Sequence, residues 1–172
     1  MKKTVIVING SGGVGKDTLC DMAANRYKVK NVSSIMPIKE LAKQCGWNGE
    51  KTDKARKFLS DLKALTTEYN NFPTRWIYNE YLDFLNTDEE VMFVHIREGS
   101  EIKKFVDITE GKALTLLVRG GKRFEKRQEY GNASDDLVEE YSYDYYFVND
   151  NPIEVTEALF CDFLGEIICG DK

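Results

Sequence analysis

The chain has 172 residues, of which 42% are hydrophobic, and it carries a formal charge of −5 at pH 7. Such a chain predicts a single domain, 1–172, with a substantial buried core. Its acidic balance argues against general attraction to nucleic acid or anionic membranes, so we expect neither as a partner. The four cysteines form no C-x-x-C pair, and His95 is the one histidine, which argues against a zinc site.

The start of the chain predicts a buried strand, a glycine-rich loop and a helix. Residues 4–8 form the apolar run TVIVI, and apolar residues recur at helical spacing from Leu19 to Tyr27. Between them, in GSGGVGKDT, Gly10, Gly15 and Lys16 fill the fixed positions of the phosphate-loop pattern G-x-x-x-x-G-K-[ST]. Backbone N–H groups, the helix N-terminus and the lysine all favour an anion here. The pattern predicts binding of a nucleoside triphosphate, with a plain glycine-rich turn as the alternative.

Asp17 stands where this pattern has Ser or Thr, and Thr18 follows one position late. A hydroxyl in that position normally binds Mg²⁺ directly. A carboxylate could instead hold a metal-bound water, or could repel phosphate unless a cation lies between them. Asp17 is therefore a candidate for the metal through a bound water.

Four further apolar stretches resemble strands, at 29–35, 91–96, 113–118 and 145–149, and helical patterns separate them. This alternation predicts an α/β fold with a parallel sheet and helices on both faces. The phosphate loop would then lie at the carboxyl edge of the sheet. The N-terminal apolar run is too short for a signal peptide, so we expect a cytoplasmic protein without a membrane span.

The second and third strands are separated by an insertion, about 37–86, that reads as helices over 37–45, 50–70 and 73–86. On the middle helix, an apolar stripe is predicted from Phe58, Leu62, Leu65 and Tyr69. Arg56 and Lys63 share the opposite face. That face is either ordinary solvated surface or the lining of a groove for a second phosphate.

Arg97 ends the third strand, so it should emerge at the same edge as the phosphate loop. Its planar guanidinium favours phosphate binding, with a buried salt bridge to Glu98 or Asp17 as the alternative. His95 lies on the apolar strand itself, and we interpret it as a satisfied core residue in preference to a catalytic one.

Residues 119–131 carry a basic stripe that would lie on one face if the segment were helical. The stripe consists of Arg119, Lys122, Arg123, Lys126 and Arg127. Gly120 and Gly121 offer a hinge, which favours a lid that brings arginines to transferring phosphates. A solvated face neutralised by neighbouring glutamates is the alternative. Beyond the last strand, Asn151 and Pro152 predict the start of a C-terminal helix.

The chain resembles the P-loop kinases of the nucleoside monophosphate kinase-like group, a three-layer P-loop NTPase fold. The ending G-K-D-T of the loop is similar to that of phage-type deoxynucleoside monophosphate kinases, and animal-type phosphomevalonate kinases share G-K-D. The order of loop, helical insertion, strand-end arginine and arginine-bearing lid is also similar. No guanine-reading N-K-x-D string is present, which argues against a GTPase.

The resemblance implies ATP and Mg²⁺ as cofactors and assigns roles by position. Around the nucleotide it implies Gly10, Gly12, Gly13, Val14, Gly15, Lys16, Asp17, Thr18, Asn149 and Pro152. Lys16, Arg97, Arg119, Arg123 and Arg127 would be catalytic, with Arg97 at the phosphate of the acceptor. Arg56 and Lys63 are candidates for acceptor binding, and Asp17 for the metal.

The sequence therefore predicts ATP-dependent phosphoryl transfer to a small phosphorylated acceptor, with a nucleoside or deoxynucleoside monophosphate favoured. Two alternatives stay open: a kinase of another phospho-metabolite, such as phosphomevalonate or dephospho-coenzyme A, and a non-catalytic ATP-binding regulatory module. Neither the identity of the acceptor nor the oligomeric state can be predicted from this sequence.

Overall fold

The computed structural model describes residues 3–121 and 137–170. Within them, five strands alternate with six α-helices and one short 3₁₀ helix, Leu137–Glu140. The strands are β1 (Thr4–Asn9), β2 (Val29–Ser33), β3 (Val91–His95), β4 (Ala113–Gly120) and β5 (Tyr145–Asn149). The helices are α1 (Lys16–Ala23), α2 (Met36–Gln44), α3 (Asp53–Asn70), α4 (Phe72–Leu85), α5 (Gly99–Ile108) and α6 (Ile153–Cys169).

The five strands form one parallel sheet in the order β2-β3-β1-β4-β5. Alternate residues of β1 point to opposite faces, as a strand requires. Val5 and Val7 belong to a core with residues of α4 and α5, whereas Ile6 and Ile8 belong to a core with residues of α1 and α6. The predicted α/β fold, with helices on both faces of a parallel sheet, is confirmed.

The segment between β2 and β3 forms the helices α2, α3 and α4, close to the predicted bounds. The side chain of Thr52 accepts a hydrogen bond from the Ala55 N–H and caps α3, and Asn71, with a φ of 54°, ends it. α3 packs against α2 and α4. The predicted apolar stripe on this helix is wrong, because Leu65 and Tyr69 are 65% and 85% exposed.

The side of α3 that packs inward is turned by about one residue from that stripe. Ala55 is buried, and Leu59, Leu62, Lys63 and Thr66 are half-buried. Lys63 consequently lies at the packed side of α3, where it reaches the Glu98 carboxylate.

The predicted lid at 119–131 coincides with the described residues only at its beginning. Arg119 and Gly120 belong to β4, so the predicted helical stripe does not begin at Arg119. Arg123 and Arg127 lie outside the described residues. The last helix begins one residue later than predicted, with Pro152 at its N-cap. Among the described helices, none combines the length and the apolar character that crossing a membrane requires.

Candidate active site

The glycine-rich loop connects the carboxyl end of β1 to α1, and its backbone conformation depends on glycine. Gly10, Gly13 and Gly15 have φ values of 152°, 80° and 90°, a region that side chains strongly disfavour. A Cβ on Gly10 would lie 2.4 Å from the Val118 carbonyl oxygen, and one on Gly15 would lie 2.8 Å from Asn149 Nδ2. The loop is therefore pressed against β4 and the end of β5, with Val14 buried beneath it.

Lys16 is the first residue of α1 and folds back over the loop. Its Nζ donates to the Gly10 carbonyl at 2.6 Å and to the Ser11 carbonyl at 3.1 Å. Gly15, at the N-cap, has no side chain that could accept hydrogen bonds from the first N–H groups of the helix. A positive side chain and the positive end of a helix thus meet at one place.

Two clefts open on either side of this lysine. The smaller one, about 510 Å³, extends toward β5 and α6 and is lined by Thr18, Asn149, Ile153 and Thr156 among others; we call it the β5 cleft. The larger one, about 820 Å³, extends toward β3 and α3; we call it the β3 cleft. Both are lined by Gly13, Lys16 and Asp17, so the loop forms a wall common to the two clefts.

The β3 cleft collects cations from four separate elements. Its lining includes Lys16, Lys39, Arg56, Lys63 and Arg97. The acidic residues of the lining are Asp17 and Glu98. The cleft is therefore net positive although the chain as a whole is acidic, and it suits an anionic ligand.

The structure brings Arg56, Lys63 and Arg97 together in this cleft. Arg97 is exposed and not buried as the salt-bridge alternative required, and its charge helps to lower the pKa of the Glu98 carboxyl. Lys63 Nζ donates to both carboxylate oxygens of Glu98 at 2.9 Å. Burial alone would raise the pKa of the Glu98 carboxyl, but the hydrogen bond and the charge of Lys63 hold that pKa below its ordinary value.

His95 also lines the β3 cleft and is half-buried, so it is not the core residue that was predicted. Its Nε2 lies 2.8 Å from the Asn31 Oδ1 and 3.8 Å from the Cys20 Sγ. Because an amide oxygen can only accept, Nε2 carries the proton, and Nδ1 faces the Asp17 carboxylate at 3.9 Å. Burial lowers the pKa of His95, and Asp17 opposes that shift, so the imidazole is neutral at pH 7.

The predicted residues toward the nucleotide are placed as follows. Thr18, Asp17 and Asn149 line the β5 cleft, and the Asn149 side chain donates to the Val14 carbonyl at 2.8 Å. Gly12 lines the β3 cleft. Pro152 precedes Ile153, which lines the β5 cleft, but Pro152 is not among the lining residues found in the described part of the chain.

Arg119 lies at the carboxyl end of β4 and is bound by a carboxylate. Its Nε and Nη2 donate to Glu139 at 3.0 and 2.7 Å, and the guanidinium lies over the Tyr146 ring, 4.7 Å from its centroid. Of the predicted arginines in the described segments, Arg119 is the one that lines neither cleft.

Sequence reasoning missed Lys39 and Asn9. Lys39 lies in the first turn of α2, directly after the carboxyl end of β2, and lines the β3 cleft. A cation in the first turn of the helix that follows a strand could have identified Lys39, since the carboxyl ends of parallel strands share one edge of the sheet. Asn9 is buried at the end of β1, and the sequence alone could not have identified its partners, which lie 88 and 134 residues away.

The residues at the loop fit a nucleoside triphosphate. The glycines have positive φ values and no Cβ, so the backbone N–H groups of the loop stay accessible to phosphate, and Lys16 supplies positive charge. Asp17 and Thr18, in the first turn of α1, are the oxygen-bearing side chains that could act on a Mg²⁺ bound to the phosphates.

No family model matches the chain, and no curated protein matches it. Two solved structures of similar fold are the "putative kinase from chloroflexus aurantiacus j-10-fl", with 12% identity and a TM-score of 0.56, and the shikimate kinase from Aquifex aeolicus vf5, with 10% identity and a TM-score of 0.51. The alignments cover 99% and 97% of this chain and 98% and 99% of theirs.

A third solved structure, the Mycobacterium tuberculosis APS kinase CysC in complex with AMPPNP and APS, has 10% identity and a TM-score of 0.49, with 95% and 98% of the two chains covered. The likeness to the first two shows that this chain has the fold of the P-loop kinases.

Proposed function

We propose that this protein is an ATP-dependent phosphotransferase that phosphorylates a small acceptor already bearing a phosphate. The observation that carries the proposal is the pair of clefts that share one wall at Gly13, Lys16 and Asp17. Phosphoryl transfer requires donor and acceptor to meet in line, with positive charge between them. A module that only bound ATP would not need a second cationic cleft on the far side of the loop.

In this proposal ATP occupies the β5 cleft and its γ-phosphate points to the shared wall. An oxygen of the acceptor phosphate forms a bond to the γ-phosphorus, and the bond from that phosphorus to the bridging oxygen breaks, with the electron pair leaving on ADP. The acceptor phosphate is anionic at neutral pH, so no side chain has to remove a proton. Mg²⁺, when bound, neutralises charge on the phosphates.

The acceptor we favour is a nucleoside or deoxynucleoside monophosphate, since the loop ending G-K-D-T and the order of elements resemble those of kinases of that group. Arg97 and Arg56 would bind its phosphate, because guanidinium groups pair with phosphate oxygens in a bidentate manner. The remaining lining includes hydroxyl and aliphatic side chains, such as Ser33, Ser60 and Leu59. That lining also suits a phospho-metabolite without a nucleobase, which is the second candidate.

The test measures ADP formation from ATP and Mg²⁺ against a panel of nucleoside monophosphates, deoxynucleoside monophosphates and other phosphomonoesters. We expect one class of acceptor to raise ADP formation well above the rate with ATP alone. The preferred class decides between the two candidate acceptors.

Lys16→Ala serves as the control in the same assay. We expect it to lower turnover about a hundredfold, roughly 3 kcal/mol, by removing a preorganised charge at the transferring phosphate. Turnover of the variant within a few-fold of the wild type would remove Lys16 from the mechanism. If no acceptor raises ADP formation by the wild-type protein, the protein is a nucleotide-binding module and not a kinase.

A further inference from the structure

Asn9 is a polar residue buried at the point where β1 ends and the phosphate loop begins, with 1% of its surface exposed. Its Oδ1 accepts from the Gly10 N–H at 2.9 Å. Its Nδ2 donates to the Arg97 carbonyl at 3.0 Å and to the Tyr143 hydroxyl at 2.9 Å. One side-chain amide thus contacts the loop, the segment that follows β3 and the segment before β5.

The Tyr143 hydroxyl extends the hydrogen-bond network of Asn9 to the segment before β5. It donates to the Val138 carbonyl at 2.9 Å. Val138 precedes Glu139, whose carboxylate binds Arg119. Burial raises the pKa of Tyr143 to about 12, so the hydroxyl keeps its proton and remains a donor.

The polarity of this network is fixed at both ends by backbone groups that cannot change role. The Gly10 N–H can only donate, and the Arg97 and Val138 carbonyls can only accept. The Asn9 amide therefore has a single orientation, and the Tyr143 hydroxyl must accept from it. A carboxylate at position 9 would keep the bond to Gly10 but would place an oxygen against the Arg97 carbonyl.

We infer that Asn9 is a positioning residue for phosphoryl transfer, and the inference rests on the function proposed above. It fixes the separation between the phosphate loop, which holds the donor, and Arg97, which holds the acceptor. Through the Tyr143 hydroxyl it also fixes the segment that carries Glu139. Asn9 acts through these elements and does not itself bind the reacting phosphates.

The decisive variant is Asn9→Asp, which has nearly the same shape and keeps the Gly10 contact. We expect ATP affinity within about twofold of the wild type, while the acceptor KM rises and kcat falls, each at least fivefold. Tyr143→Phe leaves the bonds of Asn9 to Gly10 and Arg97 but removes both bonds of the Tyr143 hydroxyl, the one it accepts from Asn9 and the one it donates to the Val138 carbonyl. It should lower kcat about threefold.

Thr109→Val is the matched control, because it also removes a buried hydroxyl, one that donates to the Phe105 carbonyl at 2.9 Å, near the start of β4. It should lower the melting temperature without changing kcat or either KM. If Asn9→Asp lowers only the melting temperature, as Thr109→Val does, Asn9 is a structural residue and the inference is wrong. If Asn9→Asp does not fold, an unchanged kcat in Tyr143→Phe shows equally that the inference is wrong.

Hydrogen exchange separates failure of this inference from failure of the proposed function. If the wild-type protein phosphorylates no acceptor, the proposed function fails, but exchange still reports on positioning. Asn9→Asp should speed exchange at residues 97–99 and at residues 138–140, whereas Thr109→Val should change neither segment. Unchanged exchange at both segments in Asn9→Asp would overturn the positioning role of Asn9.

Discussion

Asp17 is the residue at which this site departs furthest from the usual phosphate loop. Its side chain is 92% exposed in the first turn of α1, and it faces both clefts and the imidazole of His95. The sequence predicted the loop from Gly10, Gly15 and Lys16, because these residues lie close together in the chain and their pattern alone sets the local loop conformation. The neighbour of Asp17 could not be predicted, because His95 reaches it only through the pairing of β1 with β3, which sets Ile8 beside His95.

We predict that Asp17→Ser changes the Mg²⁺ concentration for half-maximal turnover about threefold or more, while ATP affinity in the absence of metal changes less. The variant replaces a negative charge beside the expected position of the cation with the hydroxyl that usually binds Mg²⁺ directly, and an exposed charge pair contributes up to about 1 kcal/mol. Titration of the rate with Mg²⁺ measures the effect.

Asp21→Ser is the matched control, since Asp21 lies one turn further along α1 and lines neither cleft. Its Mg²⁺ titration should coincide with that of the wild type. Coincident curves for Asp17→Ser as well would mean that Asp17 does not act on the metal.

At the scale of elements, α3 is the outer wall of the β3 cleft. It packs on α2 and α4, and Lys63 links it to Glu98 at the start of α5. The sequence predicted a helix over 50–70, close to the observed bounds, but not the side of it that packs. Leu65 and Tyr69 are core residues by type, yet the side of α3 that packs inward carries Ala55, Leu59 and Leu62 and leaves them in solvent.

We predict that Arg56→Ala raises the acceptor KM about tenfold and leaves the ATP KM within twofold. The reason is that a charge-assisted hydrogen bond to phosphate contributes roughly 1.5 to 3 kcal/mol. The side chain is 69% exposed, so the melting temperature should hardly change.

Lys57→Ala provides a matched comparison for this prediction. Lys57 is the next residue on α3, is equally charged, pairs with Asp61 and lies outside the lining of either cleft. Its kinetic constants should equal those of the wild type. Equal acceptor KM values for the Arg56→Ala and Lys57→Ala variants would show that Arg56 belongs to ordinary solvated surface.

At the scale of the whole molecule, the sequence predicted the layered fold because its strands are short, nearly continuous apolar runs separated by helical patterns. It also predicted that the loop and Arg97 share one edge, since the carboxyl ends of parallel strands coincide. The sequence did not predict contacts between distant segments, such as those of Asn9 with Tyr143 and of Arg119 with Glu139. Neither pair has a local pattern that would mark it.

Two clefts with a common wall should give two separate increments in thermal stability. ATP at 100 times its Kd should contribute about 2.7 kcal/mol, which corresponds to a melting temperature roughly 5 to 10 °C higher for a chain of this size. An acceptor from the preferred class should add a further increment in the presence of a non-hydrolysable ATP analogue. We predict that Arg97→Ala keeps the first increment and loses most of the second.

Arg75→Ala controls for the loss of an exposed arginine, because Arg75 lies on α4 and lines neither cleft. It should retain both increments. A wild-type protein that ATP fails to stabilise would contradict the assignment of the phosphate loop. If the acceptor still stabilises Arg97→Ala, the acceptor phosphate lies away from Arg97. Lys39 and Arg56 are the other exposed cations of the β3 cleft. The same measurement on Lys39→Ala and Arg56→Ala would then locate the acceptor phosphate.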